Sequence, residues 1–313
     1  MSAFTPHVTV AVPVKDRRER MLRCLDALLA IDYPSYDVLV LDNESSDGTA
    51  EVCRERARDT PVPLRVEVMR GSVGHLRNRA GELADGEILA FTDSDCMPAP
   101  GWLAAGVPPF ADPEIGVVQG KTLPEPGVEM VGWDATIEVR EYSARFESCN
   151  MLVRREAFRE SGGFDERVGH FWEDTAAGWA LLLQGWRPAF APAALVHHDV
   201  THPGFRWWCT RGLRYGNVSS VIRDYPELRR ELLFARYFLR PRNAKVVALV
   251  AGLALAPLDR RALLLALPYV WFRRPRSLAP GYLLRSQLQP TIFDLAILAG
   301  MVMGSVKHRR LVL

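Results

Sequence analysis

The first 92 residues alternate between short apolar runs and amphipathic stretches, and this alternation limits the fold more than any other feature of the chain. Apolar runs of strand length occupy residues 8–13, 36–41, 64–69 and 87–92. The stretches between them, such as residues 17–31, repeat apolar residues every three or four positions, which indicates helices. Strands that alternate with helices predict an α/β fold with a mostly parallel sheet and helices on both faces.

Three of the predicted strands are followed by polar loops, which begin near Lys15, Asp42 and Asp93. In sheets of this kind ligands bind beyond the carboxyl ends of the strands, so the three loops should contribute to one site. Because Asp42 directly follows an apolar strand, we expect it to accept a hydrogen bond from the base or ribose of a nucleotide.

Two aspartates, Asp93 and Asp95, flank Ser94 directly after the fourth strand. A turn at this point can direct both carboxylates to one place outside the sheet, where their oxygens can hold Mg²⁺ or Mn²⁺ on a substrate phosphate. The same pattern also occurs in solvated turns that bind nothing. The other motifs in the first 200 residues favour the metal site.

The chain has a net charge of only +2, but its two parts carry charges of opposite sign. Residues 201–313 hold 19 lysines and arginines against five aspartates and glutamates, so the first 200 residues are acidic. An acidic part suits a site that recruits cations, and a basic, apolar part suits an anionic surface. We therefore predict a catalytic domain at residues 1–204 and a basic, apolar helical region at residues 205–313.

The C-terminal region contains three apolar runs, at residues 246–258, 262–272 and 292–306. Each is shorter than the roughly 20 residues that span a bilayer, and arginine-rich segments separate them. This pattern predicts helices that lie at a membrane surface with arginines on lipid phosphates. The alternative is that they cover the protein's own core or a second copy of the chain. Nucleic-acid binding is not expected, because recognised modules are absent and the basic region is too apolar.

The cysteines and the N-terminus predict a cytoplasmic protein, and the basic, apolar C-terminal region predicts its attachment to the inner face of the cell membrane. The five cysteines are scattered without a CxxC pair, which is typical of reduced thiols. Residues 1–7 lack the basic and apolar segments of a signal peptide.

Seven short motifs follow one another in a recognisable order. They are VAVPVKDR at 10–17, VLVLDNESSDGT at 38–49, GHLRN at 74–78, FTDSD at 91–95, SCNMLVRR at 148–155, GGFDE at 162–166 and FWED at 171–174. In this order they resemble the motifs of family 2 glycosyltransferases, whose GT-A fold is a Rossmann-like α/β sheet. The resemblance covers about residues 8–200, and Asn43-Glu44 departs from the aspartate and glycine usual there.

The resemblance implies a metal-dependent, inverting transfer of a sugar from a UDP-, GDP- or dTDP-linked donor. The acceptor would be a hydroxyl of a lipid-linked or cell-envelope glycan. Asp95 would hold Mn²⁺ or Mg²⁺ together with a histidine, and we prefer His198 to His197 because only one of the two rings can face the site. Asp174 would be the catalytic base. The other predicted site residues are Pro13, Lys15, Asp42, Arg77 and Asp93 for the donor, and Asn150, Trp172 and Glu173 on the acceptor side.

Other interpretations stay open from the sequence alone. The whole chain could be a sugar nucleotidyltransferase, which shares the sheet and the metal, or a sugar-nucleotide-binding module without turnover. Glu173 and Asp174 would also suit the first turn of a helix, where acidic residues are favoured. The sequence does not indicate the oligomeric state, the nucleotide or the sugar.

Overall fold

The computed structural model describes residues 4–130, 132–168, 171–275, 277 and 280–313. Residues 1–3, from the segment considered above for a signal peptide, lie outside the described residues. The chain forms two compact units: a first unit of Met1–Glu129 and Thr136–Thr201, and a second unit of Met130–Ala135 and His202–Leu313. A domain boundary after residue 204 stays a prediction.

The first unit is built on one sheet of eight strands. They are Val8–Val14 (β1), Tyr36–Asp42 (β2), Leu64–Val68 (β3), Ile88–Phe91 (β4), Cys96–Pro98 (β5), Ile115–Pro124 (β6), Met151–Arg154 (β7) and Arg187–His198 (β8). Their order is β3-β2-β1-β4-β7-β6-β8-β5. The α/β class with a mostly parallel sheet is confirmed, and only two of the eight strands are reversed. The strand β7 runs antiparallel to both its neighbours, and β5 runs antiparallel to β8.

Helices cover the sheet because the apolar residues of each strand and helix face one another. The helices of the first unit are Arg18–Leu29 (α1), Thr49–Arg58 (α2), Val73–Leu83 (α3), Trp102–Gly106 (α4), Arg155–Glu160 (α5) and Glu173–Leu183 (α6). The buried face of α1, which includes Met21 and Leu25, joins the same core as Val10 of β1. On the other face of the sheet, Phe91 of β4 packs 5.5 Å from the ring of Phe158 on α5.

The carboxyl ends of β1, β2 and β4 lie side by side. The strand β1 pairs in parallel with both others, with Val14 opposite Asp42. Hydrogen bonds join the loops that follow, because Ser46 donates its backbone N–H to Asp16 over 2.7 Å. The polar loops identified in the sequence therefore meet at one edge of the sheet.

The second unit is helical in its described residues. Its helices are Gly204–Arg214 (α7), Val218–Asp224 (α8), Leu228–Glu231 (α9), Pro241–Leu255 (α10), Leu267–Phe272 (α11), Pro280–Leu283 (α12) and Gln289–His308 (α13). Glycines allow α13 to approach the end of α7 closely. A Cβ atom on Gly300 would lie 2.4 Å from the carbonyl oxygen of Leu213, and one on Gly216 would lie 2.0 Å from that of Gly300. No side chain larger than hydrogen fits these positions without movement.

The helix that contains residues 292–306 is longer than its apolar run. A turn of π-helix joins α13, so the helix extends over Leu284–His308, 25 residues that include an 18-residue window with a mean hydropathy of 1.4. Its length and composition would allow it to cross a membrane. The core helix of a soluble protein can meet the same two criteria. The polar residues on both sides of the apolar run are helical too, so the helix is longer than the run. The prediction that this segment is too short to span a membrane is therefore wrong.

Candidate active site

The Asp-Ser-Asp turn between β4 and β5 presents two carboxylates, each paired with a different arginine. Arg77 of α3 donates from Nη2 to Oδ1 of Asp93 over 2.9 Å. Arg17, at the start of α1, donates to Asp95. The two aspartates predicted to bind donor and metal thus lie together in a turn with basic neighbours, as a diphosphate site requires.

His198 lies beside this turn because β8 pairs with β5. Its Nε2 atom is 3.7 Å from Oδ1 of Asp95. Its Nδ1 atom lies 2.8 Å from the backbone carbonyl of Asp199, which can only accept. The N–H at Nδ1 donates to this carbonyl, so Nε2 is the ring nitrogen that faces Asp95. His197 instead has its Nδ1 atom 3.3 Å from the carbonyl oxygen of Pro124.

The chemistry of these side chains fits a divalent metal. Ligand atoms of Asp95, Cys96 and His198 all lie within 4.8 Å of one another. Burial raises the pKa of the Cys96 thiol well above its usual value, so the thiol stays protonated and is a poor ligand. Burial also disfavours ionised Asp95, but His198 and Arg17 outweigh it and lower the pKa of Asp95. An ionised carboxylate and an imidazole remain, a set that suits Mn²⁺ or Mg²⁺.

The helix α6 begins at Glu173 after an unusual backbone. Phe171 and Trp172 have φ angles of 100° and 76°, which side chains other than glycine rarely adopt. Such conformations cluster at functional sites. Glu173 accepts from the backbone N–H of Phe171 over 2.8 Å and from Nη1 of Arg77 over 3.3 Å. Buried Arg77 therefore joins the start of α6 to Asp93.

Asp174, the predicted base, has an environment that disfavours its charge. Burial and then the neighbouring carboxylates Glu173 and Glu147 raise the pKa of Asp174 well above its ordinary value. Its two oxygens accept from the backbone N–H groups of Thr175, over 2.8 Å, and Ser148, over 3.3 Å. A carboxylate with a raised pKa, held in place by backbone donors, is a stronger base when ionised.

The last residue of β2, Asp42, has a buried carboxylate oxygen that can accept a further hydrogen bond. Asp42 is fully buried, and its Oδ1 atom accepts from the backbone N–H of Ser45 over 2.8 Å. Its buried Oδ2 atom has no hydrogen-bond partner within the part of the chain that the structure describes. Lys15 is exposed and donates to the carbonyl of Asn43 over 2.9 Å. Pro13 lies buried at the end of β1.

All three residues predicted on the acceptor side, Asn150, Trp172 and Glu173, are buried. Asn150 is 1% exposed. Its amide nitrogen donates to the carbonyl oxygens of Lys121 and Ala194, each over 2.9 Å, and its oxygen accepts from Trp102 over 2.8 Å. These bonds tie β6, β8 and α4 together, so packing by itself accounts for Asn150. Trp172 is 8% exposed at the start of α6. Their role toward an acceptor stays a prediction.

The sequence did not single out Arg17 or Glu147 as site residues. Arg17 pairs with Asp95, and its signal was present, since it ends the VAVPVKDR motif. Glu147 contributes to the raised pKa of Asp174 and accepts from Gln119 over 2.6 Å. No motif includes Glu147, so only the fold reveals it.

Comparison with known proteins decides the family. A family model described as "Glycosyltransferase like family 2" matches residues 6–209. The chain belongs to this family. The resemblance read from the motifs is therefore confirmed.

Several relatives of this glycosyltransferase-like chain are known. Glycosyltransferase AglE from Haloferax volcanii is 32% identical over 180 residues, which are 54% of this chain and 59% of AglE. N-acetylglucosaminyl-diphospho-decaprenol L-rhamnosyltransferase from Mycobacterium tuberculosis is 28% identical over 244 residues, 64% of this chain and 78% of the relative. The chain thus spans about three fifths of the length of AglE.

Solved structures share the fold. The structure of mannosyltransferase PcManGT from Pyrobaculum calidifontis, in complex with GDP-Man and Mn²⁺, aligns with a TM-score of 0.63 and 23% identity. The alignment covers 98% of this chain and 88% of PcManGT. The GT-A fold is therefore confirmed.

Proposed function

We propose that this protein transfers a sugar from a nucleotide diphosphate sugar to a hydroxyl of a glycan or lipid-linked acceptor, with inversion. The observation that carries the proposal is the Arg77 bridge, which contacts both Asp93 of the carboxylate turn and Glu173, the neighbour of the candidate base. A glycosyl transfer needs a diphosphate site and a base close together. Arg77 links the two sets of residues that would supply them.

Asp95 and His198 would hold the metal ion. When bound, a divalent cation neutralises the charge that develops on the diphosphate as the glycosidic bond breaks. Arg17 now pairs with Asp95, so the side chain of Arg17 would move away when a metal binds. The PcManGT structure, which contains Mn²⁺ with a nucleotide sugar, supports a divalent ion of this kind.

The nucleoside of the donor would contact the loops after β1 and β2. The unpartnered Oδ2 atom of Asp42 would accept a hydrogen bond from the base or ribose. Asp93 would bind the ribose or a metal-bound water, and the exposed Lys15 would contact phosphate. UDP-, GDP- and dTDP-sugars all remain candidates, and the GDP-Man in the PcManGT structure makes GDP the first to test.

Asp174 would be the base of the transfer. Its carboxylate takes the proton of the acceptor hydroxyl while that oxygen forms a bond to the anomeric carbon. The nucleoside diphosphate leaves from the opposite face with the electrons of the broken glycosidic bond, so the configuration inverts. The raised pKa of Asp174 favours its acceptance of the proton.

The acceptor class rests on the relatives. The name of the mycobacterial rhamnosyltransferase describes an acceptor whose sugar is joined through a diphosphate to a decaprenol lipid. A lipid-linked acceptor would also suit the basic, apolar second unit of this chain. We propose that this unit contacts the membrane peripherally, with the first unit in the cytoplasm.

Product analysis tests the proposed reaction against its two rivals. The protein is incubated with Mn²⁺, each donor in turn and a lipid extract, and the nucleotide products are separated. Release of nucleoside diphosphate with a glycosylated lipid supports transfer. Formation of pyrophosphate from a nucleoside triphosphate and a sugar phosphate would instead support a nucleotidyltransferase. Donor binding without any product would indicate a binding module.

A further inference from the structure

The second unit contains a cavity of about 510 Å³, and its lining residues include none of the candidate active-site residues. Three arginines and three aromatic residues contribute to its walls: Arg242, Arg273, Arg285, Trp133, Phe205 and Phe293. Its volume is within the range of small-molecule sites in proteins. The residues come from five separate stretches of the chain, so only folding assembles the cavity.

Positive charge exceeds negative charge in the wall of this cavity. Asp294, which is 1% exposed, pairs with Arg273 and lies 3.4 Å from Nε of Arg242. One carboxylate therefore faces two guanidinium groups. Within the described residues no carboxylate pairs with Arg285. The cavity thus favours an anion over a neutral or cationic ligand.

Two Nε atoms in the arginine cluster lack a hydrogen bond of good geometry, although that of Arg242 lies 3.4 Å from Asp294. The Nε atoms of Arg242 and Arg273 are buried and have no hydrogen-bond partner among the residues that the structure describes. A buried donor without a partner costs free energy. A phosphate group presents several acceptor oxygens and pairs well with planar guanidinium groups. The three arginines that line the cavity therefore suit a bound phosphate.

Aromatic packing holds the cavity wall in shape. The ring of Trp133 meets that of Phe293 edge to face at 5.9 Å, and its Nε1 donates to Gln289 over 2.7 Å. The guanidinium of Arg242 lies 5.7 Å from the centre of the Phe293 ring. A wall with these fixed contacts loses little conformational entropy when a ligand binds.

Apolar side chains are exposed next to the arginine cluster along the chain. Residues 263–272 directly precede Arg273, and they include Leu264, Val270 and Trp271, which are 64%, 57% and 71% exposed. Apolar surface that adjoins an anion site is typical of proteins that bind charged lipids. A ligand with both a phosphate and a hydrocarbon chain would match both features.

We propose that this cavity binds the phosphate group of an amphiphile, with the hydrocarbon chain on the exposed apolar side chains of residues 263–272. The phosphate accepts hydrogen bonds from Arg242, Arg273 and Arg285. The site does not depend on the transfer reaction proposed above, and the ligand is either a membrane lipid or a phosphorylated lipid acceptor.

Calorimetric titration of the full-length protein with dihexanoyl phosphatidic acid below its micelle concentration tests the site without a membrane. Arg285→Gln removes an exposed cavity arginine without leaving Asp294 unpaired. We expect it to weaken binding about tenfold or more, since a charge-assisted hydrogen bond to the phosphate is lost. Arg230→Gln is the matched control, because Arg230 is exposed on α9 and does not line the cavity. Its binding should equal that of the wild type.

Further ligands and variants separate the alternatives. Arg242→Lys keeps the charge but loses the planar fork and should also weaken binding. Dihexanoyl phosphatidylcholine, with a choline-masked phosphate, should bind much more weakly. Glycerol 3-phosphate tests the headgroup alone: competition shows that phosphate suffices, and no competition shows that the chain is needed.

Equal affinity of wild type and both cavity variants would overturn the proposal, as would equal losses in Arg285→Gln and Arg230→Gln. Asp174→Asn should bind normally, so a failure of the proposed reaction leaves this test intact.

Discussion

At the scale of single residues, Asp174 is the most direct test of the proposed reaction. Asp174→Asn preserves size and an acceptor oxygen for one of the two backbone donors but cannot take a proton. We expect kcat to fall by about 10²–10⁴, the usual contribution of a general base. Donor affinity, measured by calorimetry, should change little. An equal loss of donor affinity would indicate that Asp174 only supports the donor site.

The raised pKa of Asp174 predicts how activity depends on pH. The base must be ionised, so kcat/KM should rise with pH through a value well above that of an ordinary aspartate. A pH–rate profile measures this, and an acidic limb near pH 4 would contradict it.

The same pKa predicts an effect on stability. Because the folded state holds the proton of Asp174 more tightly than the unfolded chain, this group's contribution to stability falls as pH rises between the ordinary and the raised pKa. Asp174→Asn should therefore raise the melting temperature at neutral pH. The exposed Asp32→Asn is the control and should leave it unchanged.

Substitutions of the adjacent residues Asp95 and Cys96 test which of the two binds the metal. Asp95→Ala should abolish metal-dependent turnover and the metal-dependent part of donor binding, because it removes the ionised ligand. Cys96→Ala should retain both, since the thiol is protonated and buried. Titration with Mn²⁺ in the presence of nucleotide gives the comparison. If Asp95→Ala keeps its metal dependence, the metal is held elsewhere.

At the scale of elements, the glycines of α13 determine how closely helices pack in the second unit. Gly300→Ala places a methyl group 2.4 Å from a backbone carbonyl, which cannot move without shifting α7. Overpacking of this kind costs about 1–3 kcal/mol. Gly281→Ala, in α12, meets nothing within 4 Å and serves as the control. Thermal unfolding should show a clear loss of stability for Gly300→Ala and none for Gly281→Ala.

At the scale of the whole molecule, the charge of residues 201–313 predicts salt-sensitive membrane attachment. Arginine near an anionic leaflet contributes about 1 kcal/mol, so a few engaged arginines would suffice. Flotation with phosphatidylglycerol vesicles should recover the protein at low salt, and high salt should release it. Recovery that persists at high salt would indicate insertion of Leu284–His308. A protein that never floats would show that the apolar helices pack within the protein itself.

The sequence by itself determined the first half of the fold and the family. Strands and helices up to residue 92 have their own periodicity, so local pattern was enough to predict β1 to β4 and α1 to α3 within a few residues. The order of the motifs also predicted the family, because each motif is a continuous stretch of sequence that can be recognised without the fold. Asp42 and the pair Asp93 and Asp95 could be predicted as site residues because Asp42 and Asp93 each directly follow a predicted apolar strand.

Tertiary structure alone decided the rest. The strands β5, β6 and β7 pair with partners far along the chain, so their antiparallel register has no local signal. That register brings His198 beside Asp95, whereas the sequence alone supported only a preference for His198 over His197. The Arg77 bridge and the raised pKa of Asp174 depend on burial and on charges that are distant in sequence. Local pattern encodes periodicity, whereas burial and long-range pairing exist only in the folded chain.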